Sequence, residues 1–175
     1  MPNKVPHMLN DMRVYLNGSD KFIGAKSIEL PNFETMTATV AGIGLAGEID
    51  APGRGHFQAM DTTIEWNTTE STGLSLIGGQ PVALEAYGSN QNFDEGKNEY
   101  VDEQVRVAIR GTCKSYTTGT WQAGNTSDAS TVIEVHYIKV DVDGETVAEI
   151  DKYGYKCVIN GNDLMASIRR NIGMS

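Results

Sequence analysis

The chain has 175 residues and a formal net charge of −9 at pH 7, with 14 lysines and arginines against 23 aspartates and glutamates. Its length predicts one domain spanning residues 1–175. Its negative charge disfavours direct binding to nucleic acid or anionic membrane, but it does not exclude a protein that lets nucleic acid pass. No apolar run of about 18 residues and no apolar signal segment is present, so we expect neither a membrane anchor nor secretion.

The N-terminal part of the sequence predicts strands separated by turns. Residues 12–16 and 22–30 flank turn residues 17–20, which predicts a first hairpin that ends at Pro31, because proline cannot donate a ladder hydrogen bond. Residues 34–41 then alternate between apolar and polar side chains, as in a strand with one buried face. We expect the apolar set to face the core and the threonines to face away from it.

A glycine-rich stretch over residues 42–55 is predicted to be a long flexible loop. Its G-I-G-L-A-G at residues 42–47 matches the G-x-G-x-x-G pattern of dinucleotide-binding proteins. That pattern needs a helix to open at the glycines, and Pro52 with the later glycines excludes a long helix here. We therefore expect no nucleotide cofactor at this stretch.

Residues 57–69 alternate again, with Met60, Ile64 and Trp66 on the predicted core face. The elements predicted after them are a short helix capped near Ser71, a strand over residues 81–87 and a polar loop over residues 88–100.

Two paired stretches dominate the second half of the chain. Residues 101–116 alternate strictly, while residues 130–150 are rich in β-branched residues and turn at Asp143-Gly144, a two-residue hairpin signal. Two adjacent apolar residues near Tyr137 break the second alternation, which predicts a β-bulge. The connection over residues 115–130 is rich in serine, threonine and glycine and is predicted to be mobile.

The C-terminal segment predicts a strand and a closing helix. Residues 145–159 are predicted to be a strand broken at Gly154, followed by a turn at Asn160-Gly161. The last predicted element is a helix over residues 163–170, with Gly173 beyond its end. The expected fold class is mainly β, with two packed antiparallel sheets, a flanking short helix and a C-terminal helix.

The residue types that carry catalysis or bind metals show no suitable pattern. His7, His56 and His136 have no metal-ligand spacing among themselves or with Cys113 and Cys157, which we expect to be buried and reduced. No G-x-S-x-G nucleophile motif is present, and no carboxylate pair stands out. We therefore expect no catalytic residue, no metal, no cofactor and no enzymatic activity.

The C-terminal third carries a family resemblance. Residues 137–156, Y-I-K-V-D-V-D-G-E-T-V-A-E-I-D-K-Y-G-Y-K, and residues 158–174, V-I-N-G-N-D-L-M-A-S-I-R-R-N-I-G-M, resemble the FII-type major tail tube proteins of contractile-tailed phages and R-type tailocins. The R-R-N-I-G near the end is the most distinctive piece. The Leu30-Pro31 pair, residues 42–50 and residues 60–66 are similar to the same family, so the resemblance covers nearly the whole chain.

The resemblance implies a fold and an assembly. In that family two packed antiparallel sheets carry a flanking helix, six subunits close a ring, four strands of each subunit form an inner barrel, and rings stack into a tube inside a contractile sheath. Here the barrel strands would be residues 34–41, 57–69, 101–116 and 130–141. Residues 42–55 would reach the neighbouring ring. The stacking residues expected in that loop are Gly42, Gly44, Gly47, Glu48, Asp50 and Arg54.

The same assignment predicts the side chains that line the channel. The apolar phase of each barrel strand must face the core, so its polar phase would face the lumen. The lumen-facing residues expected are Thr35, Thr37, Thr39, Asp61, Thr63, Glu65, Asn67 and Glu134. Arg106 and Arg110 would face the same way, neutralised by cross-strand carboxylates such as Glu134.

The predicted function is therefore that of a structural subunit of an inner tail tube, in a virion tail assembled in the cytoplasm of a bacterial host. Its expected partners are further copies of itself, the tail sheath protein, and the baseplate and tail terminator proteins, with DNA passing through the lumen without specific binding. The tube of an R-type tailocin or a related contractile injection system is the alternative. A monomeric β-sandwich binding module is a weaker one.

Overall fold

The computed structural model describes residues 3–18 and 24–174, which form a mainly β protein with short helices, as the sequence predicts. The strands are β1 (Lys4–Leu16), β2 (Ala25–Glu29), β3 (Thr35–Val40), β4 (Ile49–Phe57), β5 (Asp61–Trp66), β6 (Pro81–Asp94), β7 (Glu99–Thr117), β8 (Ala129–Val142), β9 (Glu145–Asp151), β10 (Lys156–Ile159) and β11 (Asn162–Asp163). The helices are α1 (Ser71–Ser75), a 3-10 turn (Leu76–Gly78) and α2 (Ala166–Asn171).

One large antiparallel sheet contains most strands, and β3 with β4 forms a second, two-stranded sheet. The order in the large sheet is β1-β6-β7-β8-β9-β10-β11, and β5 lies between β8 and β2. The first half of β8 therefore pairs with β5 and its second half with β9. The long strands β1, β6, β7 and β8 lie side by side and make an extended continuous surface.

The hydrophobic core lies on one face of this sheet. Ile64 and Trp66 of β5 are buried, together with Met60 just before this strand, and so are Val107 and Ile109 of β7, so the predicted core phases of both strands are confirmed. A hydrogen bond satisfies the buried indole of Trp66, because its Nε1 donates to the hydroxyl of Thr131 at 3.0 Å.

The bulge predicted near Tyr137 is present in β8. Arg110 pairs with Tyr137 and Gly111 with Val135, so His136 is the extra residue. The buried aliphatic positions of β8 change there from odd-numbered to even-numbered residues, as a one-residue slip requires. Opposite the bulge the backbones approach closely, since a Cβ on Gly111 would lie 3.0 Å from a carbonyl carbon of β8.

The first predicted hairpin is wrong. β1 pairs with β6 and β2 pairs with β5, so these two strands are not partners; residues 19–23, which contain part of the predicted turn and strand, lie outside the described residues. The turn residue Asn17 bonds to a distant strand instead. Its backbone N–H donates to the Ala83 carbonyl at 2.6 Å, and its side-chain oxygen accepts the Ala83 N–H at 2.9 Å.

The polar loop predicted over residues 88–100 is also wrong. β6 continues to Asp94 and β7 begins at Glu99, so only residues 95–98 form the turn. The polar side chains at this end are hydrogen-bonded rather than solvated. Asn92 is buried and its amide donates to Glu103, while the buried Asp94 carboxylate accepts the backbone N–H groups of Gly96 and Lys97. A satisfied polar side chain can occupy a buried strand position.

The connection between β7 and β8 is shorter than predicted, covering residues 118–128, and is tied to the body. The backbone N–H of Ser127 donates to the Asn67 carbonyl, and the Thr69 hydroxyl donates to the Thr118 carbonyl. The predicted short helix is confirmed as α1, but the predicted cap is wrong, since the N-cap residue is Glu70 and no side chain caps the helix.

The C-terminal helix α2 begins later than predicted, because Asp163 belongs to β11. The Asp163 carboxylate accepts the N–H of Met165 at 3.0 Å and forms an ion pair with Arg169 at 2.7 Å, which joins β11 to the helix. The helix ends at Asn171, one residue after the predicted end, and Gly173 lies beyond it as predicted, with a φ of +77°. The N–H of Met174 donates to the Arg169 carbonyl at 2.9 Å, which completes the C-terminal cap.

Candidate assembly arm and channel face

The hairpin of β3 and β4, with the connection between them, forms an arm, which we define as residues 35–57. Every residue from 36 to 50 is exposed. In the described part of the chain β3 pairs only with β4. The exposed apolar side chains of the arm are Met36, Val40, Ile43, Leu45 and Ile49. Because a two-stranded ribbon is marginally stable alone, and a contiguous apolar surface marks an interaction site, the arm is a candidate for contact with another molecule.

The loop predicted over residues 42–55 is wrong in its second half, where β4 begins at Ile49. Of the expected stacking residues, the connection holds Gly42, Gly44, Gly47 and Glu48, and β4 holds Asp50 and Arg54. Pro52 does not prevent a strand here, because β4 has a partner on one side only and can leave the position of the missing N–H facing solvent. The Thr39 hydroxyl donates to the Asp50 carboxylate at 2.8 Å and so joins the two strands of the arm.

The base of the arm packs against the C-terminal segment of the chain. Gly55 has a φ of +72°, and a Cβ there would lie 2.7 Å from Met165 Cγ and 3.5 Å from Cys157 Cβ. The rings of Phe57 and Phe33 meet edge to face at 6.3 Å. A glycine is therefore required where the arm leaves the body, both for its backbone angle and for the space that the Met165 side chain occupies.

The face of the large sheet opposite the core carries the second candidate surface, which we call the charged face. Of the expected lumen residues, β5 holds Asp61, Thr63 and Glu65, Asn67 follows β5, and β8 holds Glu134. Asp61 and Glu134 are directly paired across the strands. Thr35, Thr37 and Thr39 are on the arm, in the other sheet. Of the four expected barrel strands, β5, β8 and β7 are neighbours in the large sheet, whereas β3 pairs with β4 in the second sheet.

Lys114 pairs with the carboxylates of both Asp61 and Glu134, and Lys152 pairs with Glu134. The Lys114 ammonium lies 3.0 Å from Asp61 and 3.9 Å from Glu134, and the Lys152 ammonium lies 3.7 Å from Glu134. Burial opposes ionisation of Asp61, but the hydrogen bond and charge of Lys114 outweigh it and hold the pKa of that carboxyl below its ordinary value. The Asp61 hydrogen bond in turn raises the pKa of Lys114. Both groups are therefore charged at neutral pH.

A second cluster surrounds Arg106. Its guanidinium lies 3.0 Å from Glu85 and 3.6 Å from Asp141, and Asp141 also lies 3.5 Å from Lys139. The Tyr87 hydroxyl donates to Glu85 at 2.9 Å. This hydrogen bond, followed by that of Arg106, holds the pKa of Glu85 below its ordinary value. The cluster is thus a set of paired charges across β6, β7 and β8.

The expected partner of the arginines is wrong. Glu134 pairs with lysines, whereas Arg106 pairs with Glu85 and Asp141. Arg110 lies over the Tyr137 ring, with 4.8 Å between its guanidinium carbon and the ring centroid. In the register of β7 with β8, Arg110 is opposite Tyr137, whereas Glu134 is opposite Thr112.

Within residues 3–18 and 24–174, no group of three or more His, Cys, Asp or Glu side chains is arranged to hold a metal ion. No helix in the same ranges is long and apolar enough to cross a membrane.

A family model described as phage tail tube protein FII matches residues 6–173, nearly the whole chain. The chain belongs to this family. The resemblance seen in the sequence is thereby confirmed, and with it the prediction of a tail tube protein. The family is one of structural proteins rather than enzymes.

Individual relatives agree with membership of the tail tube family. The tail tube protein of Escherichia phage P2 is 27% identical over 179 residues, covering 97% of this chain and 99% of that protein. A chain in the cryo-EM structure of the PVC extracellular contractile injection system, described as its sheath/tube terminator in the extended state, matches with a TM-score of 0.50 and 13% identity. That match covers 78% of this chain and 96% of the other. At this identity it shows a shared fold.

Sequence reasoning missed the carboxylates and lysines that complete the charged face of this tail tube protein. Glu85 lies in a predicted strand, but its partner Arg106 follows only from the register of β6 with β7. Lys114 lies at a register shift of β7, between Cys113 and Ser115, and its ammonium pairs with Asp61 of β5. The alternation of residues 101–116 placed Arg106 and Lys114 on the polar face. It identifies the face on which they lie but not their ion-pair partners.

Proposed function

We propose that this chain is the single-domain structural subunit of the inner tube of a contractile tail, in which six copies close a ring and rings stack into a hollow tube. The arm is the observation that carries this proposal beyond family membership. Its apolar side chains are exposed, and Ile43 is fully so. A contact with the neighbouring ring would bury them.

The strand edges support ring formation. Within the described ranges β1 has a ladder partner, β6, on one side, and β2 has one, β5, on one side. Open edges of this length favour aggregation unless another strand or a covering element occupies them. A neighbouring subunit in a closed ring would occupy them, and a head-to-tail contact that closes by rotation makes such a ring.

In this assembly the charged face lines the channel and the outer surface contacts the sheath, with the baseplate and tail terminator proteins at the ends of the tube. The tube forms in the cytoplasm of the host and becomes part of the virion tail. DNA passes along the channel without specific binding. In a tailocin or related injection system the same tube would puncture the target envelope.

Shortening the arm tests the stacking role. Residues 41–48 are replaced by Asn-Gly, which closes a two-residue hairpin turn on the Val40–Ile49 pair. We expect a folded subunit, because the removed residues are exposed, but no tubes in negative-stain electron micrographs. Sedimentation velocity would show free subunits or single rings.

A matched control replaces the same eight positions with glycine and serine, which keeps the length of the connection but removes its apolar side chains. If this control forms tubes and the short-arm variant does not, stacking depends on the length of the connection rather than on its apolar side chains. Normal tubes from the short-arm variant would overturn the stacking role. A wild-type protein that stays monomeric at every concentration would overturn the tube subunit itself and favour a binding module.

A further inference from the structure

An apolar groove lies between β1 and β2, next to the hydrophobic core and apart from the charged face. Its volume is about 280 Å³. Among the described residues, no lysine, arginine, aspartate or glutamate lines it. Its walls come from β1, β2, β6 and β7, and the apolar side chains that form most of them are those of Leu9, Met12, Ile28, Leu30, Val105 and Val107.

A decrease in side-chain size along β6 leaves the groove open. The core-facing positions of this strand pass from Leu84 to Ala86 and then to Gly88. A Cβ on Gly88 would lie 2.9 Å from Leu9 Cδ1, so the Leu9 side chain crosses the strand where the side chain is missing. At the rim, Leu9 and Leu30 are 52% and 47% exposed. The groove therefore exposes apolar surface that a partner could cover.

We propose that this groove receives the tip of the arm of another copy of the chain, in the adjacent ring. The inference rests on the proposed function in one respect, namely that the arm joins stacked rings. Ile43 and Leu45 are the side chains that would enter the groove, and both are exposed. The contact would remove apolar surface from water on both copies at once.

The absence of charge on the arm favours it as the occupant. Residues 35–47, T-M-T-A-T-V-A-G-I-G-L-A-G, carry no charge, in a chain in which 21% of the residues are charged. A charged group would lose hydration in an uncharged groove without gaining a partner. The exposed Ile172 and Met174 are less suitable occupants, because Arg169 and Arg170 directly precede them.

The size of the groove favours side chains over a small molecule. Its volume of about 280 Å³ is just below the range of roughly 300–1,000 Å³ that small-molecule sites occupy. Such sites also contain several converging polar groups. The Tyr87 hydroxyl already donates to Glu85, so it is not available to a ligand in the groove.

The arm and the groove are different surfaces of one chain, so a contact between them is head-to-tail. Such a contact can repeat from ring to ring along a tube. No described residue of the arm lines the groove of its own chain, and Ile43 is fully exposed. The groove is therefore free for the arm of another copy.

Disulfide crosslinking between two different variants tests the contact. Both carry Cys113→Ser, which leaves the buried Cys157 as the remaining native cysteine. One variant adds Ile43→Cys in the arm, and the other adds Leu9→Cys in the groove. Equal amounts are mixed under assembly conditions and oxidised with oxidised glutathione. We expect a covalent dimer of one copy of each variant, with the joined peptides identified by mass spectrometry.

The matched control replaces Leu9→Cys by Leu74→Cys. Leu74 is 44% exposed but lies in α1, outside the groove. Equal yields of dimer from the two variants would overturn the proposal. A chain carrying cysteines at both 43 and 9, diluted into an excess of Cys113→Ser protein, should form no disulfide within itself. An internal disulfide would show that the arm fills its own groove, which also contradicts the proposal.

A charge placed in the groove gives an independent measurement. Leu9→Glu should raise the protein concentration needed for tubes by at least about tenfold, as loss of one buried leucine contact implies. Leu74→Glu makes the same change outside the groove and should have little effect. Near-ultraviolet circular dichroism checks that both variants are folded. Tubes from Leu9→Glu at the wild-type concentration would count against the groove.

The outcome is separable from that of the proposed function. A wild-type protein that forms no tubes refutes the function, whereas the crosslink is measured on whatever oligomers form. A dimer yield at Leu9 no higher than at Leu74 refutes the inference even if tubes form. The inference also predicts no tubes from the variant whose connection is glycine and serine. Tubes from that variant would leave the arm its stacking role but would refute its docking in the groove.

Discussion

The arm and the charged face are both exposed surfaces, but they differ in whether their side chains find partners within the chain. The charged face carries many ionisable groups, yet its ion pairs and hydrogen bonds are made within the chain. The arm carries few charges, and its apolar side chains are left in solvent. Charged groups that already form ion pairs and hydrogen bonds within the chain gain little free energy from contact with a neighbouring molecule. Exposed apolar side chains gain most, because such a contact removes them from water. Under the proposed function, this difference separates a face that lines the channel from an arm that joins subunits.

The comparison predicts that changes in the two regions affect different measurements. Ile109 is 1% exposed in the core beneath the long strands, and Ile109→Ala should lower the free energy of unfolding by about 2–5 kcal/mol. Ile43→Ser removes a fully exposed side chain and should change it by less than about 0.5 kcal/mol, while reducing the yield of tubes. Chemical denaturation and electron microscopy of both variants would measure the two effects.

Ile77→Ser serves as a control for the arm variant, because Ile77 is also an exposed aliphatic residue but lies in the 3-10 turn. A loss of stability in Ile43→Ser as large as that in Ile109→Ala would show that the arm is part of the fold. The contrast between the two regions would then be wrong.

The junction of arm and body should respond in both measurements. Gly55→Ala places a Cβ against Met165 at a backbone angle that favours glycine, and we expect a loss of about 1–3 kcal/mol together with fewer tubes. Gly47→Ala is the matched control, since a Cβ at that position meets nothing within 4 Å. Equal behaviour of the two variants would mean that the base of the arm is not held by Met165.

A smaller effect is expected at the pair that joins β11 to α2. The Arg169 hydrogen bond holds the pKa of Asp163 below its ordinary value, so its stabilisation is present above the pKa of an unfolded aspartate, about 3.9, and is lost as pH falls through the lower folded value. Asp163→Asn should lower Tm by about 2–4 °C at pH 7.

The same difference in Tm should shrink as the pH falls below about 4, where wild type loses the charge that the variant lacks. Thermal melts of both proteins at pH 7, 5 and 3 would measure it. A difference that is constant across this range would show that the pair contributes no charge-dependent stability.

The sequence predicted the features that depend on neighbouring residues. The alternation around Ile109, the bulge near Tyr137 and the turn at Asn160-Gly161 follow from local side-chain pattern and backbone preference, and all three are confirmed. The cap at Gly173 follows from the same kind of rule. Local patterns decide a strand, a face or a turn because each needs only a few consecutive residues.

The features that the sequence did not predict depend on distant partners. Asn17 has a turn signal, but its bonds to Ala83 fix β1 beside β6, which no local pattern indicates. Pro52 and its neighbouring glycines led to the prediction of a loop where β4 lies, and among the described residues β4 pairs only with β3. The pair of Lys114 with Asp61 joins β7 to β5 across β8, and alternation alone does not reveal that strand order. Whether the stacking and lumen residues act as expected stays a prediction.

The contact between Gly55 and Met165 also sets an order in time. A ribosome that adds about 5–20 residues per second delivers Met165 on the order of ten seconds after Gly55. During that interval Met165 is not yet present to pack against the base of the arm. A nascent chain should therefore not hold the arm in the orientation that stacking needs. Arrested chains ending near residue 160 should therefore be cleaved by protease in the arm more readily than the completed protein, and equal protection would contradict this order. Newly made subunits would become competent to stack only when their synthesis is almost finished.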